Sequence, residues 1–333
     1  MITRLLIVAI TLLAFVTGCG DKSEANGSGK KGDKKGHVVA VIPKGTTHSY
    51  WLAGHSGAAK AAKELDGVSI IWKGIDNDND SNAQIDLVQD FIQQEVDAIA
   101  LSPLDAAALA NIVNTAYDKG VKVIIWDSDV NTEKRHSFIA TDNYKGGELC
   151  ADKSGELTGG KGKVVMIRYK QNSASTGARE SGFIDRIKKK YPDIKLVSTE
   201  EYAESSVSVA KDKINDIFQL HGTDIDAIFC PALPVVQGVL KAVRERKLNG
   251  KVKLVGFDQD PELTEALANG DISALAVQDP FKMGELSVRY AKDLIDGKTV
   301  DKVVDTGVML ITKENMEKED AKKLLTPDLS FIK

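Results

Sequence analysis

The sequence predicts an α/β protein made of two lobes, each a doubly wound parallel sheet, and three observations predict it. Short apolar runs alternate with amphipathic stretches of helix length from His37 to about residue 310, the pattern of repeated strand–helix units. Most of these runs are unbroken, as strands covered by helices on both faces require. The series occurs twice, and 333 residues with 42% apolar content suffice for two cores.

In the first series, strands are expected over 38–42, 68–72, 98–101, 121–126 and 137–140, with helices over 51–65, 83–94 and 105–119. Each crossover is long enough for a right-handed strand–helix–strand unit. The second series has strands over 163–167, 194–198, 227–230, 253–257 and 274–278, with helical stretches that include 182–190 and 207–220. Gly159-Gly160-Lys161-Gly162 ends the helix that precedes the strand at Lys163.

Counted from Gly155, that glycine cluster nearly spells a phosphate loop. Gly162 stands where Ser or Thr is needed, however, and the context is helix-to-strand, so nucleotide binding is rejected. Asp76, Asp78 and Asp80 have the spacing of a calcium loop, yet Ser81 replaces the turn glycine and Leu87 the bidentate glutamate. A solvated loop is the expectation there. The first strand–helix turn, Pro43-Lys44-Gly45-Thr46-Thr47-His48, lacks a dinucleotide fingerprint, and the histidine and cysteine spacings match no metal motif. We therefore expect no metal, no cofactor and no enzymatic activity.

A net charge of -4 provides no long-range field for nucleic acid, so that class of partner is excluded. At the N-terminus, Arg4 and an apolar run over 5–16 are too short to span a bilayer and read as a secretory signal over 1–19. Val16-Thr17-Gly18-Cys19 resembles the lipobox of bacterial lipoproteins, in which Cys19 would become the diacylated N-terminus. Residues 20–36 are a polar tether. The expectation is export, with lipid anchorage to a membrane and the folded part facing the periplasm or cell exterior. Cys150 and Cys230 are expected to be buried free thiols.

Ligands of open parallel sheets bind beyond the carboxyl ends of the strands. Lys44, His48, Tyr50 and Trp51 follow the first strand, Ser102 and Asp105 the third, and Asp127 the fourth. In the second series Asp258 follows Phe257, and the last strand ends in Gln278. Asp105 after Pro103 suits a helix N-cap, and Trp126 suits a sheet core. Carboxylates, an amide and aromatic faces together suit a sugar, whose hydroxyls take charge-assisted hydrogen bonds and whose C–H face stacks on rings.

At these residues the chain resembles the ribose-type, or type 1 cluster B, periplasmic binding proteins, from about His37 to Leu310. The motifs recur in the family's order: Ile42-Pro43-Lys44 with Tyr50-Trp51, Ser102-Pro103, Trp126-Asp127-Ser128, Ala140-Thr141-Asp142-Asn143, Val255-Gly256-Phe257-Asp258, and Gln278 two residues before Pro280. The resemblance implies two Rossmann-like lobes joined by a three-strand hinge near Thr141, Gln278 and Asp305. It divides the chain into 37–141 plus 279–305 and 142–278 plus 306–333.

It further implies that Tyr50, Trp51 and Phe257 sandwich a sugar ring while Asp127, Asp258 and Gln278 bind hydroxyls. His48, Ser102 and Thr141 fall on polar positions bordering the cleft. Two positions depart from the ribose pattern: Ala232 stands where asparagine is common, and Gly177 where a sugar-binding arginine is expected. Lys44, Arg168 and Lys170 are candidate replacements as donors, favouring a carboxylate or an unusual oxygen pattern. Lys44, the residues around Asp127 and the Ala-Leu-Pro after Pro231 also resemble autoinducer receptors of the superfamily.

The implied function is capture of a small sugar by hinge closure of a monomer and delivery to the permease of an ABC importer. The alternatives are presentation to a sensor kinase or chemoreceptor, and a hydrolase using His48 with Asp127. No nucleophile motif supports the hydrolase.

Overall fold

The unbroken apolar runs form the central strands of two six-stranded sheets. The structure, a computed structural model, describes residues 36–75 and 79–332. The expected signal, Cys19 and the tether up to residue 35 lie outside the described residues, as do Asp76 and Asp78.

The first sheet takes β1 (His37–Ile42), β2 (Val68–Trp72), β3 (Ala98–Leu101), β4 (Lys122–Trp126) and β5 (Ser137–Ala140), connected through α1 (Ser49–Glu64), α2 (Ser81–Gln93) and α3 (Ala110–Asp118). The chain then enters α4 (Asn143–Leu157) and builds the second sheet from β6 (Lys161–Arg168), β7 (Asp193–Tyr202), β8 (Ala227–Cys230), β9 (Lys253–Phe257) and β10 (Ala274–Gln278). The connections there are α5 (Ala174–Lys190), α6 (Val207–His221), α7 (Leu233–Glu245) and α8 (Pro261–Asn269). It returns to the first lobe with α9 (Pro280–Ile295) and β11 (Val303–Asp305), then crosses again into β12 (Val308–Ile311) and α10 (Glu319–Leu325).

The strand orders are β11-β5-β4-β3-β1-β2 and β12-β10-β9-β8-β6-β7. All pairings are parallel except β10 with β12. The two sheets thus have the same order, and each position in one lobe has a counterpart in the other.

Side-chain alternation explains why helices cover both faces. In the first lobe Ala40, Ile42, Ile99, Leu101, Val123 and Ile125 pack with α2 and α3, while Val39, Val41, Ala98, Ala100, Ile124 and Trp126 pack with α1 and α9. In the second, Val165, Ile167, Ile228 and Leu254 face α6, α7 and α8, and Val164, Met166, Phe229, Val255 and Phe257 face α4 and α5. Cys150 and Cys230 are buried free thiols within this core.

In each lobe, the helix that enters from the other lobe packs closely against a partner helix. A Cβ at Gly57 of α1 would strike the carbonyl of Phe281 in α9, and one at Gly182 of α5 would strike the carbonyl of Tyr144 in α4. Both glycines are ninth in their helices. The absent side chain lets the backbones approach, fixing to each lobe the helix that enters it from the other.

Three connections pass side by side between the lobes. Thr141 Oγ1 donates to Gly307 O at 3.0 Å, and Asp305 Oδ1 accepts the N–H groups of Asp142 and Gly307 at 3.0 and 2.8 Å. The end of the chain departs from the expected division, which gave 306–333 wholly to the second lobe. Ala321 and Leu325 of α10 sit in the second core, but Ser56 of α1 donates to Asp328 O at 2.6 Å and Lys63 lies over the Phe331 ring. The last residues therefore return to the first lobe, because Phe331 finds an apolar seat beside Phe281.

Two helices differ from expectation for local reasons. The helix expected from Asp105 begins at Ala110, since Asp105 Oδ1 takes the N–H groups of Ala107 and Ala108, both at 2.9 Å, and holds a turn instead. The helix expected from Gly182 begins at Ala174. Its first turns bury Ser175, Thr176, Arg179 and Glu180, and this polar inward face erases the hydrophobic period there.

Candidate ligand-binding site

The carboxyl ends of both sheets face one cavity, where open parallel sheets bind ligands. Lys44, His48, Tyr50, Trp51 and Asp127 line it from the first lobe, and Tyr169, Ser175, Thr176, Arg179, Ala232, Leu233, Pro234, Asp258 and Gln278 from the second.

Asp127 directly follows β4 and Asp258 directly follows β9. Asp127 Oδ1 accepts the Tyr50 hydroxyl at 2.6 Å, and Oδ2 accepts the Ser102 hydroxyl at 2.8 Å. Asp258 Oδ1 accepts from Gln278 Nε2 at 2.7 Å, and Oδ2 from the Leu233 N–H at 3.3 Å. These protein donors orient both carboxylates and leave lone pairs for further partners.

Two cations balance the two carboxylates. Lys44 Nζ lies 3.4 Å from Asp127 Oδ2, and Arg179 Nη1 lies 3.8 Å from Asp258 Oδ2. Arg179 is fixed by Asn143 Oδ1 and Pro231 O, both at 2.8 Å, and its guanidinium carbon sits 4.0 Å from the centroid of the Phe257 ring. Burial lowers the Lys44 pKa, although Asp127 opposes the shift. Burial raises the Asp258 pKa against the pull of Arg179, and burial with the nearby Asp127 holds the Tyr50 phenol well above its usual range.

Buried polar atoms are nearly always hydrogen-bonded. Among the described residues, two oxygens at this cavity have no protein partner, Thr176 Oγ1 and Gln278 Oε1. The aromatic wall is formed by Tyr50 and Trp51, packed edge to face with centroids 4.8 Å apart.

Seven of the expected site residues thus meet around one cavity: Lys44, His48, Tyr50, Trp51, Asp127, Asp258 and Gln278. Four do not line it. Ser102 lies behind Asp127 as its donor, and Thr141 belongs to the hinge. Phe257 is fully buried and supports Arg179 from below, since its parity on β9 matches Val255 and turns it toward α4 and α5. Arg168 donates to Thr199 O at 2.5 Å and pairs with Glu180 at 3.2 Å, so it serves the second core's edge.

Residues missed from the sequence are Tyr169, Ser175, Thr176 and Arg179. The arginine sought at Gly177 is two positions on, at Arg179. The signal that would have found it is helical register: at the sixth position of α5, it is the counterpart of Gly54 in α1, beside Trp126. Among the described residues no cluster of His, Cys, Asp or Glu is arranged to hold a metal, and no helix is long and apolar enough to cross a membrane.

Residues 39–299 match the family model described as periplasmic binding protein domain. The chain belongs to the periplasmic binding protein family. Its relatives place it in the ribose type. The ribose import binding protein RbsB of Bacillus subtilis is 28% identical over 92% of this chain and 98% of that protein. The D-allose-binding periplasmic protein of Escherichia coli is 28% identical over 80% of this chain and 86% of its own length.

Solved structures agree. A carbohydrate transporter solute binding protein of Agrobacterium radiobacter in complex with D-arabinose superposes with a TM-score of 0.84 at 33% identity, over 88% of this chain and all of that one. An ABC transporter solute binding protein of Agrobacterium vitis with bound D-fucose gives 0.84 at 30%, over 87% and 100%. The architecture is that of type 1 periplasmic binding proteins, whose members here are sugar-binding transport proteins.

Proposed function

We propose that this periplasmic binding protein captures a monosaccharide between its lobes and delivers it to an ABC importer, from a position outside the cytoplasm held by lipid on Cys19. The observation that carries the ligand class is the convergence of Asp127 from one lobe and Asp258 from the other on a single cavity, with Arg179, Thr176 and Gln278 beside them. A diol donates to a carboxylate and accepts from a guanidinium at once, and a ligand rich in hydroxyls answers this mixed set. Tyr50 and Trp51 offer the apolar face that a ring's C–H edge needs.

Hydrogen bonds to charged groups contribute about 1.5–3 kcal/mol each. Three of them with one aromatic contact are consistent with micromolar affinity, about -8 kcal/mol, after ordering costs. Because the carboxylates sit on different lobes, a ligand that bridges them favours the closed arrangement, and closure is the signal an importer reads.

The test is to denature the protein as purified from its own cells and to identify the released small molecules by mass spectrometry. The proposal expects a monosaccharide in a constant ratio to the chain, which rebinds after refolding. Release of a non-carbohydrate that rebinds in the same cavity would contradict it.

A further inference from the structure

Lys44 lies in the loop after β1, and its side chain is 6% exposed. An ammonium has three N–H donors. Its Nζ has one oxygen of its own lobe at 3.4 Å, Asp127 Oδ2, and two of the other lobe, Ser173 Oγ at 3.4 Å and Ser175 Oγ at 3.2 Å. The ammonium is thus hydrogen-bonded to two hydroxyls of the other lobe and ion-paired within its own.

The segment that receives Lys44 also carries further contacts of the first lobe on the second. Asn172 accepts the Ala106 N–H at 3.0 Å and donates through Nδ2 to Asp105 Oδ2 at 3.0 Å. The Ser175 N–H donates to Ser128 Oγ at 3.1 Å. Loops after β1, β3 and β4 therefore all hold residues 172–175. Ser173 is the N-cap of α5 yet makes no side-chain cap bond; its hydroxyl is turned to Lys44 instead.

We propose that Lys44 is a positioning residue that latches the lobes together through Ser173 and Ser175, and acts on affinity through closure instead of by touching the ligand. The proposal rests on the ligand-binding reading above. A residue that contacts the ligand changes the ranking of ligands. A latch changes the closed fraction, which scales every apparent affinity by one factor. Burial lowers the ammonium's pKa, as expected of a cation enclosed between two lobes with one carboxylate beside it.

The test uses the full chain with spin labels at Lys73→Cys and Glu204→Cys, both exposed and on opposite lobes. With no ligand added, Lys44→Met and the Ser173→Ala/Ser175→Ala pair should each lengthen the interlobe distance measured by pulsed dipolar spectroscopy. The three substitutions together should add little, because both variants remove the same contact. For a panel of neutral pentoses and hexoses, both variants should weaken every measurable affinity by a common factor, on the order of tenfold.

Unchanged distances in both variants would overturn the latch. So would a changed ranking of sugars in Lys44→Met with no effect of the serine pair, which would make Lys44 a ligand contact. If the unsubstituted chain binds no sugar, the ligand reading fails by itself, and the distances measured without ligand still decide the latch.

Discussion

Asp127 and Asp258 occupy equivalent places in the two lobes. Each is the first residue after a strand, β4 or β9, and each has a left-handed backbone, with φ of 64° and 69°. Each donates its N–H to the neighbouring strand, to Ile139 O at 3.0 Å and to Ala276 O at 2.8 Å. Left-handed φ is uncommon outside glycine but tolerated by Asp and Asn, and such conformations gather at functional sites. The matched turns aim the two carboxylates at the same cavity from opposite sides.

Arg179 holds Asn143 and Pro231 through separate nitrogens while its guanidinium carbon sits over the Phe257 ring. A lysine keeps the charge but neither the fork nor the stacking. Arg179→Lys is expected to weaken sugar binding by about 2 kcal/mol, the scale of a lost charge-assisted bond. Calorimetric titration checks this, with the melting temperature as a control for folding.

Burial pushes the Glu180 carboxyl up from 4.5 to about 7, against the Tyr169 N–H and Arg168. A carboxyl whose pKa is raised by folding binds more protons folded than unfolded, so its contribution is fully present below its unfolded pKa and is lost as pH rises through about 7. Relative to Glu180→Gln, the unsubstituted protein should lose up to about 3 kcal/mol between pH 4.5 and 8. Urea unfolding of both proteins at the two pH values measures the difference, and an unsubstituted protein that gains stability relative to Glu180→Gln as pH rises would contradict the assignment.

Two glycines predict opposite signs for the same change. Gly57→Ala forces the α1 and α9 backbones apart and should cost about 1–3 kcal/mol. Gly177, inside α5, has open space where a Cβ would stand, so Gly177→Ala should stabilise by about 0.5–1 kcal/mol through helix propensity. Denaturant midpoints for the two variants give the comparison directly.

The strands were legible because doubly covered parallel strands are written as unbroken apolar runs, and the residues just past them, Asp127, Asp258 and Lys44, fall where such sheets bind ligands. Phe257 was misplaced although its parity with Val255 was readable: the last residue of a strand still faces its helix layer, and the cavity begins one residue later. Arg179 and Thr176 escaped because they lie on a helix whose buried face is polar, where hydrophobic periodicity gives no signal. The serines that receive Lys44 lie 129 and 131 residues away along the chain, a pairing that only the fold creates. The return of Phe331 to α1 was hidden for the same reason.

The most direct test of the account is calorimetric titration of pentoses and hexoses into protein unfolded and refolded to remove bound ligand, comparing the unsubstituted chain with Asp127→Asn and Asp258→Asn. Asparagine keeps the left-handed turns, so the fold is retained while the charge is removed. We expect one saturable site for a monosaccharide, with each substitution weakening it by about 1.5–3 kcal/mol. Saturable sugar binding with affinity unchanged in both variants would contradict the claim that these two residues grip one ligand from opposite lobes.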